Sequence, residues 1–261
     1  MLLAFDLDNT LITHDHVLPA GIQQALAKAR QLGHCVTVLT GRTRASTLPI
    51  LEQLGLKGPY SVNHGALVVS EDGEILHQAV IPATQAQVIL ERYGTAAWLE
   101  PSCVVGETLF VRDPLDERWN WAHTLDQRVM PLERYAGEDA DKIVFSCSAH
   151  AQRTYREITA EFPELVLYLW ANLFLEMTGA GGHKGAALQR IAAVLGIARE
   201  DTVAFGDGVN DVSMLEWAGR AVAVGPHAYP EVLAVADEHI AAPEEDGVAR
   251  WLEENVLAVR G

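Results

Sequence analysis

A strand–helix alternation that stops and later resumes is the feature that most limits how this chain can fold. Leu2 to Phe5 is a short apolar run, and Pro19 to Leu32 then reads as a helix. That helix has proline in its first turn, Ile22, Leu26, Ala29 and Leu32 on one face, and Gly33 as its stop. Cys35 to Thr40 is β-rich, and a further helical stretch ends near Gly55. Ala66 to Ser70 and Glu74 to Ile81 read as strands around the hairpin signal Glu71-Asp72-Gly73. Strands alternating with helices are the pattern of a parallel sheet covered on both faces.

From Pro82 to about Thr178 the rhythm changes. Short strands are expected at Thr108 to Arg112, Lys142 to Cys147 and Val166 to Glu176, with helices near Leu115 to Leu125 and Ala149 to Phe162. Thr84 and Gln87 have the spacing of a capping box. Four of the six tryptophans (Trp98, Trp119, Trp121 and Trp170) fall here, enough for a small core of its own. From Gly179 the alternation returns: a helix to Leu195, a strand from Thr202 to Asp207, a helix to Ala218, a strand from Ala221 to Gly225 and two closing helices. The expected architecture is α/β, a Rossmann-like doubly wound parallel-sheet core with an inserted α/β cap domain. Residues 1–81 and 179–261 form the discontinuous core, and residues 82–178 the cap.

Acids mark the ends of two of these strands. Asp6 and Asp8 follow Phe5, and residues two apart in a strand share a face. Neighbouring carboxylates repel and are costly to bury unless something positive lies between them. Mg²⁺ would supply that charge, since it takes one or two carboxylates together with phosphate and water oxygens. A solvated turn with a capping Asp is the plainer alternative. A second cluster, "FGDGVND", places Asp207 and Asp211 at the end of another apolar run. Gly206 and Gly208 there allow close backbone approach, and Asn210 and Asp211 open the next helix. Asp211 also suits a simple helix N-terminus, whereas Asp207 behind a buried strand has no such reading.

Two further stretches suit anions. "LTGRT" offers the Thr40 hydroxyl and the Gly41 N–H to phosphate oxygens, although such a tripeptide also occurs in ordinary loops. "GAGGHKGAAL" puts Lys184 at a helix start, where the helix dipole opposes a cation unless an anion or buried acids hold it. It is not a Walker motif, because Gly185 stands where Ser or Thr is required. No G-x-G-x-x-G follows the first strand, so nothing signals a dinucleotide.

Composition narrows the partners. A formal net charge of −16 disfavours nucleic acid and anionic membranes, but not a small phosphate whose site is locally positive. The longest uncharged apolar stretch, Leu165 to Leu175, is too short for a membrane span. The N-terminal apolar run is cut by Asp6 and lacks a basic leader, unlike a signal peptide. Cys35, Cys103 and Cys147 are scattered and odd in number, which suits reduced thiols in a cytoplasm.

"DLDNTL", "LTGR", "GGHKGAAL" and "GDGVND", in that order, resemble the four motifs of the haloacid dehalogenase superfamily. The long insertion between the second and third is similar to that of its Cof-type phosphatases, which carry the larger α/β cap (class IIB). The resemblance spans nearly the whole chain. By matching position it implies Asp6 as nucleophile and Mg²⁺ ligand. Asp8 would be the general acid/base and would lend the metal its backbone carbonyl. Leu7, Thr40, Gly41 and Asn210 would contact phosphate, Lys184 would bridge phosphate and nucleophile, and Asp207 and Asp211 would complete the metal site. Two departures stand out. Asn9 replaces a frequent Gly, and "VNHGA" carries His64 where the family usually reads N-G-A.

In this scheme a carboxylate attacks phosphorus to form an aspartyl-phosphate, and the second acid protonates the leaving alcohol and then deprotonates water. Arg42, Asn63 and His64, with Arg112 and Asn172 of the cap, are the candidate substrate contacts. "THDH" (Thr13 to His16) is better read as a solvated turn than as a metal cluster, and His183, His227 and His239 as isolated structural or exposed residues. The expected protein is a cytoplasmic, Mg²⁺-dependent phosphatase of small phosphorylated metabolites, a monomer or weak dimer. A phosphomutase using the same intermediate and a phospho-acceptor signalling module remain as alternatives. A binding protein without activity is disfavoured by the full set of motif acids.

Overall fold

Four apolar residues in a row leave a strand no polar face, so β1 (Leu2–Phe5) must be covered on both sides. All four are fully buried in the computed structural model, which describes residues 1–125 and 127–258. Leu3 and Phe5 pack with Ile22, Leu26 and Trp251 on one face, and Leu2 and Ala4 with Leu188, Ile191 and Met214 on the other. The chain continues through α1 (Ala20–Gln31), β2 (Cys35–Val38) and α2 (Arg44–Gln53). β3 (Tyr60–Val62), β4 (Leu67–Val69) and β5 (Ile75–Gln78) then form a small antiparallel sheet, joined to the main one by a parallel bridge between Leu39 and Ser61. The turn between β4 and β5 holds Gly73 at φ +83°, as the expected hairpin requires.

The inserted region builds a second sheet. Its elements are α3 (Ala83–Arg92), β6 (Leu99–Val105), β7 (Thr108–Val111), α4 (Asn120–Thr124), β8 (Arg128–Pro131), β9 (Lys142–Cys147), α5 (Ala151–Glu161), β10 (Val166–Trp170) and β11 (Phe174–Thr178). The strand order is β10-β11-β9-β6-β7-β8, antiparallel except between β7 and β8. Ile89, Ile143, Phe145, Ile158 and Leu175 centre a core separate from those of the main sheet.

Two expectations fail here, and one strand arises where none is expected. The apolar run Val166 to Glu176 is not one strand, because it reverses at Ala171 and Asn172, both left-handed (φ +46° and +59°) as a tight primed turn demands. β6 arises from a segment with no strand signal, "LEPSCVV", whose Pro101 interrupts the pattern. Thr84 and Gln87 form no capping box. α3 begins after Pro82 without a side-chain cap, the Ala83 N–H donates to Asp139 Oδ1 at 2.8 Å, and Gln87 bonds Glu91.

The α/β alternation then resumes with α6 (Lys184–Leu195), β12 (Thr202–Gly206), α7 (Val212–Trp217), β13 (Arg220–Val224), α8 (Pro230–Val235), β14 (Glu238–Ile240) and α9 (Gly247–Leu252). The main sheet runs β14-β13-β12-β1-β2, all parallel, with Phe5 level with both Phe205 and Val38. From β1 the chain crosses to β2 on one side, while β12, reached nearly two hundred residues later, lies on the other. Such a reversal opens a crevice at the carboxyl ends of β1 and β12. Among the described residues no helix is long and apolar enough to cross a membrane.

Candidate active site

Residues just beyond the carboxyl end of each central strand line the crevice. The Asp6 N–H donates to the Phe205 carbonyl at 3.0 Å, extending the β1–β12 ladder by one residue and fixing Asp6 at its mouth. Leu7 is fully buried, and its carbonyl accepts the N–H groups of Leu11 (2.9 Å) and Ile12 (2.8 Å) in a tight turn. Asn9 in that turn is left-handed (φ +59°), a conformation that asparagine tolerates.

Asp6, Asp207 and Asp211 each bring a carboxylate oxygen within 4.8 Å of the other two. Lys184, with no exposed surface, donates at 2.5 Å to both Asp6 Oδ1 and Asp211 Oδ1. Those acids hold the cation at the first residue of α6, and their charge, against the effect of burial, keeps its ammonium above the usual range. The other Asp211 oxygen accepts from the Asp207 N–H (3.0 Å) and the Gly208 N–H (2.9 Å). Three acids share one ammonium, and the deficit shows. Burial, with the neighbouring acids, pushes the Asp6 carboxyl well up. Burial and Asp211 push Asp207 up to about 7, although Lys184 and the Thr10 hydroxyl, which donates to it at 3.3 Å, work the other way. Three hard oxygen donors short of positive charge fit a dication such as Mg²⁺.

Asp8 takes no part in that trio. Its carboxylate lies against Arg42, which donates from Nε at 2.9 Å and from a terminal nitrogen at 2.5 Å. Burial works against ionisation, but the Arg42 hydrogen bonds and charge outweigh it and hold the Asp8 carboxyl below its ordinary value. Thr40 is buried beneath, and its hydroxyl accepts the Arg42 N–H at 3.2 Å. Gly41 admits no side chain, since a Cβ there would lie 2.4 Å from the His64 ring.

The cap supplies groups that no spacing in the sequence revealed. Lys142, heading β9, donates to the Gly41 carbonyl at 2.9 Å and to Glu176 Oε2 of β11 at 2.8 Å. Glu176 Oε2 also meets His64 Nε2 at 2.8 Å, and His64 Nδ1 meets the Asn210 amide nitrogen at 3.0 Å. Burial would raise the Glu176 carboxyl, but Lys142 and then His64 hold it well below the usual range. Burial lowers the His64 imidazole despite Glu176. Trp170 and the core residue Tyr229 close the cleft with an edge-on pair at 6.2 Å, leaving a cavity of about 430 Å³.

Asp6, Asp8, Gly41, Arg42, His64, Asp207 and Asn210 thus line one cavity, with Thr40, Lys184 and Asp211 directly behind them. Arg112 and Asn172 do not reach it. Arg112 is tied within the cap to Glu100 and to the Gly94 and Leu99 carbonyls, and Asn172 sits in the β10–β11 turn bonded to Gln152. Asn63 is left-handed (φ +50°), its N–H donating to the Arg42 carbonyl. His183 caps α6, and His14 offers its backbone to Glu244. The signal that could have exposed the missed pair was the lone charge in each of two buried cap strands, "KIVFSC" and "FLEMT".

The profile of the haloacid dehalogenase-like hydrolases matches residues 3–252. The 5-amino-6-(5-phospho-D-ribitylamino)uracil phosphatase YitU of Bacillus subtilis is 29% identical over 97% of this chain and 96% of its own. The HMP-PP phosphatase of Escherichia coli is 31% identical over 89% of this chain and 86% of its own. A solved haloacid dehalogenase subclass IIB sugar phosphatase superposes with a TM-score of 0.82, at 25% identity, covering 97% of this chain and 98% of the other.

Proposed function

We propose, for a chain that belongs to the haloacid dehalogenase-like hydrolases, that Asp6 attacks the phosphorus of a small phosphomonoester and forms an aspartyl-phosphate that water then hydrolyses. The protein is a phosphoric monoester hydrolase of the Cof type. The reading assigns residues 1–81 and 179–261 to the catalytic core, residues 82–178 to the cap, and the protein to the cytoplasm. Its main support is the buried Lys184 ammonium, 2.5 Å from both Asp6 and Asp211 at the switch point of the sheet.

Asp6, Asp207 and Asp211, with the Asp8 backbone carbonyl, would hold Mg²⁺, which when bound neutralises charge between nucleophile and phosphate. The chain's own residues do the rest. Thr40, Gly41, Leu7 and Asn210 hold the phosphoryl oxygens, and Lys184 aligns the Asp6 carboxylate with the phosphorus. A bond forms from Asp6 to phosphorus as the ester P–O bond breaks, and Asp8 gives its proton to the departing alkoxide. Asp8 then takes a proton from water as that water's oxygen attacks phosphorus and the Asp6–P bond breaks. The Arg42 pair keeps Asp8 ionised, which suits this second half-reaction; in the first, bound substrate must displace Arg42 so that Asp8 takes up a solvent proton before giving it to the alkoxide.

A cavity of about 430 Å³ accommodates a phosphate with one small ring or chain and excludes a folded protein or duplex. Relatives whose names specify a phospho-ribitylaminouracil, HMP-PP or a sugar phosphate favour a small phosphorylated metabolite here too. The test is the stereochemistry at phosphorus, using a substrate with an oxygen-isotope-chiral thiophosphoryl group hydrolysed with Mg²⁺ in water of the third oxygen isotope. Two in-line displacements predict thiophosphate released with retention, without any bisphosphate activator. Inversion would mean that water attacks the ester directly and Asp6 is not the nucleophile.

A further inference from the structure

We propose that His64 is a positioning residue through which the cap orients the Asn210 amide over the phosphate site, an inference that rests on the phosphatase reading above. Hydrogen-bond bookkeeping around the imidazole carries it. Asn210 Nδ2 lies 3.0 Å from His64 Nδ1 and can only donate, so Nδ1 must carry a lone pair. The ring proton is then on Nε2, where it is donated to Glu176 Oε2 at 2.8 Å. Lys142 donates to the same oxygen at 2.8 Å and anchors to the Gly41 carbonyl at 2.9 Å. The chain of contacts therefore leaves the core at Gly41, passes through two cap residues and returns to the core at His64 and Asn210.

The consequence lies in the second N–H of Asn210. With one N–H spent on His64, the other is left to meet a phosphoryl oxygen. A flipped amide would set its oxygen against the Nδ1 lone pair, so the tautomer of His64 fixes the polarity that Asn210 presents. Glu176 selects that tautomer, and Glu176 belongs to the cap. Displacing the cap removes the acceptor from Nε2 and frees both the ring and the amide.

Backbone cost argues against simple packing. Asn63 and His64 are consecutive left-handed residues (φ +50° and +59°), a conformation that side chains rarely adopt. Gly41 and Gly65 stand where a Cβ would collide with the His64 ring (2.4 Å) and with the His183 carbonyl carbon (2.3 Å). A side chain that merely filled space against Tyr168 would need neither strain nor both ring nitrogens engaged.

The test combines a double-mutant cycle with nitrogen NMR on the full chain. Glu176→Ala should lower kcat/KM roughly 10- to 100-fold, the usual effect of losing a group that orients a binding residue. Glu176→Gln keeps an acceptor for Nε2 and should recover most of that loss. In the Asn210→Ala background Glu176→Ala should cost less than about twofold, because the residue it acts through is gone. In the ¹⁵N spectrum, wild-type His64 should be a single neutral tautomer protonated on Nε2, and Glu176→Ala should mix the two tautomers. Multiplicative losses in the cycle, or a wild-type proton on Nδ1, would overturn the proposal. If the wild type hydrolyses no phosphomonoester, the assigned reaction falls while the spectrum still judges the role of His64.

Discussion

The floor and the roof of the cleft solve the same electrostatic problem in opposite ways. On the floor, Asp6, Asp207 and Asp211 share the ammonium of Lys184, and Asp6 and Asp207 are pushed up. On the roof, Glu176 has Lys142 and His64, and is held well down. Burial alone disfavours both sets of carboxylates, so the difference lies in the ratio of acids to cations. The roof is charge-complete within the protein. The floor is not, and that shortfall is what a dication would fill.

The largest effect should come from deleting the cation on each side. Lys184→Ala removes the ammonium bonded to both Asp6 and Asp211, and should lower kcat/KM about 10²–10³-fold, as loss of a transition-state donor does. It should also destabilise the metal-free protein by about 3–5 kcal/mol in urea unfolding, because it strands buried acids. Lys142→Ala should be milder, roughly tenfold in kcat/KM, since it loses contacts to Glu176 and the Gly41 carbonyl but none to the acids of the floor. Equal losses from the two would erase the distinction between floor and roof.

Stability against pH sharpens it next. Asp207 moves from an ordinary 3.8 to about 7, and Asp6 moves in the same direction. Between about pH 4 and 7 the folded chain then binds more protons than the unfolded one, so these groups lower stability as pH rises through that window. Glu176 has the opposite sign. Its contribution is complete above its ordinary 4.5 and is lost only as pH falls through its depressed value. Urea unfolding from pH 5 to pH 7.5 without divalent cations should therefore show declining stability, and added Mg²⁺ should flatten the slope.

The smallest effect should be at Arg112. Its half-exposed pair with Glu100 is worth about 0.2–1 kcal/mol, and Arg112→Ala should leave kcat/KM within about twofold of wild type. A larger fall in turnover would mean that this part of the cap reaches the substrate.

The same division governs what could be read from the sequence. The floor is local: Asp6 and Asp8 follow an apolar strand, Asp207 follows another, and each sits in a short motif whose neighbours disclose its surroundings. The roof is Lys142 and Glu176, which lie on separate cap strands and meet the core's His64 only when β9 and β11 pair over it. No periodicity encodes such a meeting. The cap strands also carry weaker signals. Pro101 hid β6, and Asn172 without a following glycine hid the turn that splits β10 from β11. Strand alternation does not tell which face Arg112 and Asn172 occupy, and both bond within the cap.

Calorimetric titration of the metal-free protein with Mg²⁺ tests the central contrast most directly. One Mg²⁺ should bind per chain, Asp207→Asn should abolish or greatly weaken that binding, and Glu176→Gln on the roof should leave it within about twofold. Absence of Mg²⁺ binding by the wild type, or unchanged affinity in Asp207→Asn, would contradict a floor built to receive a dication.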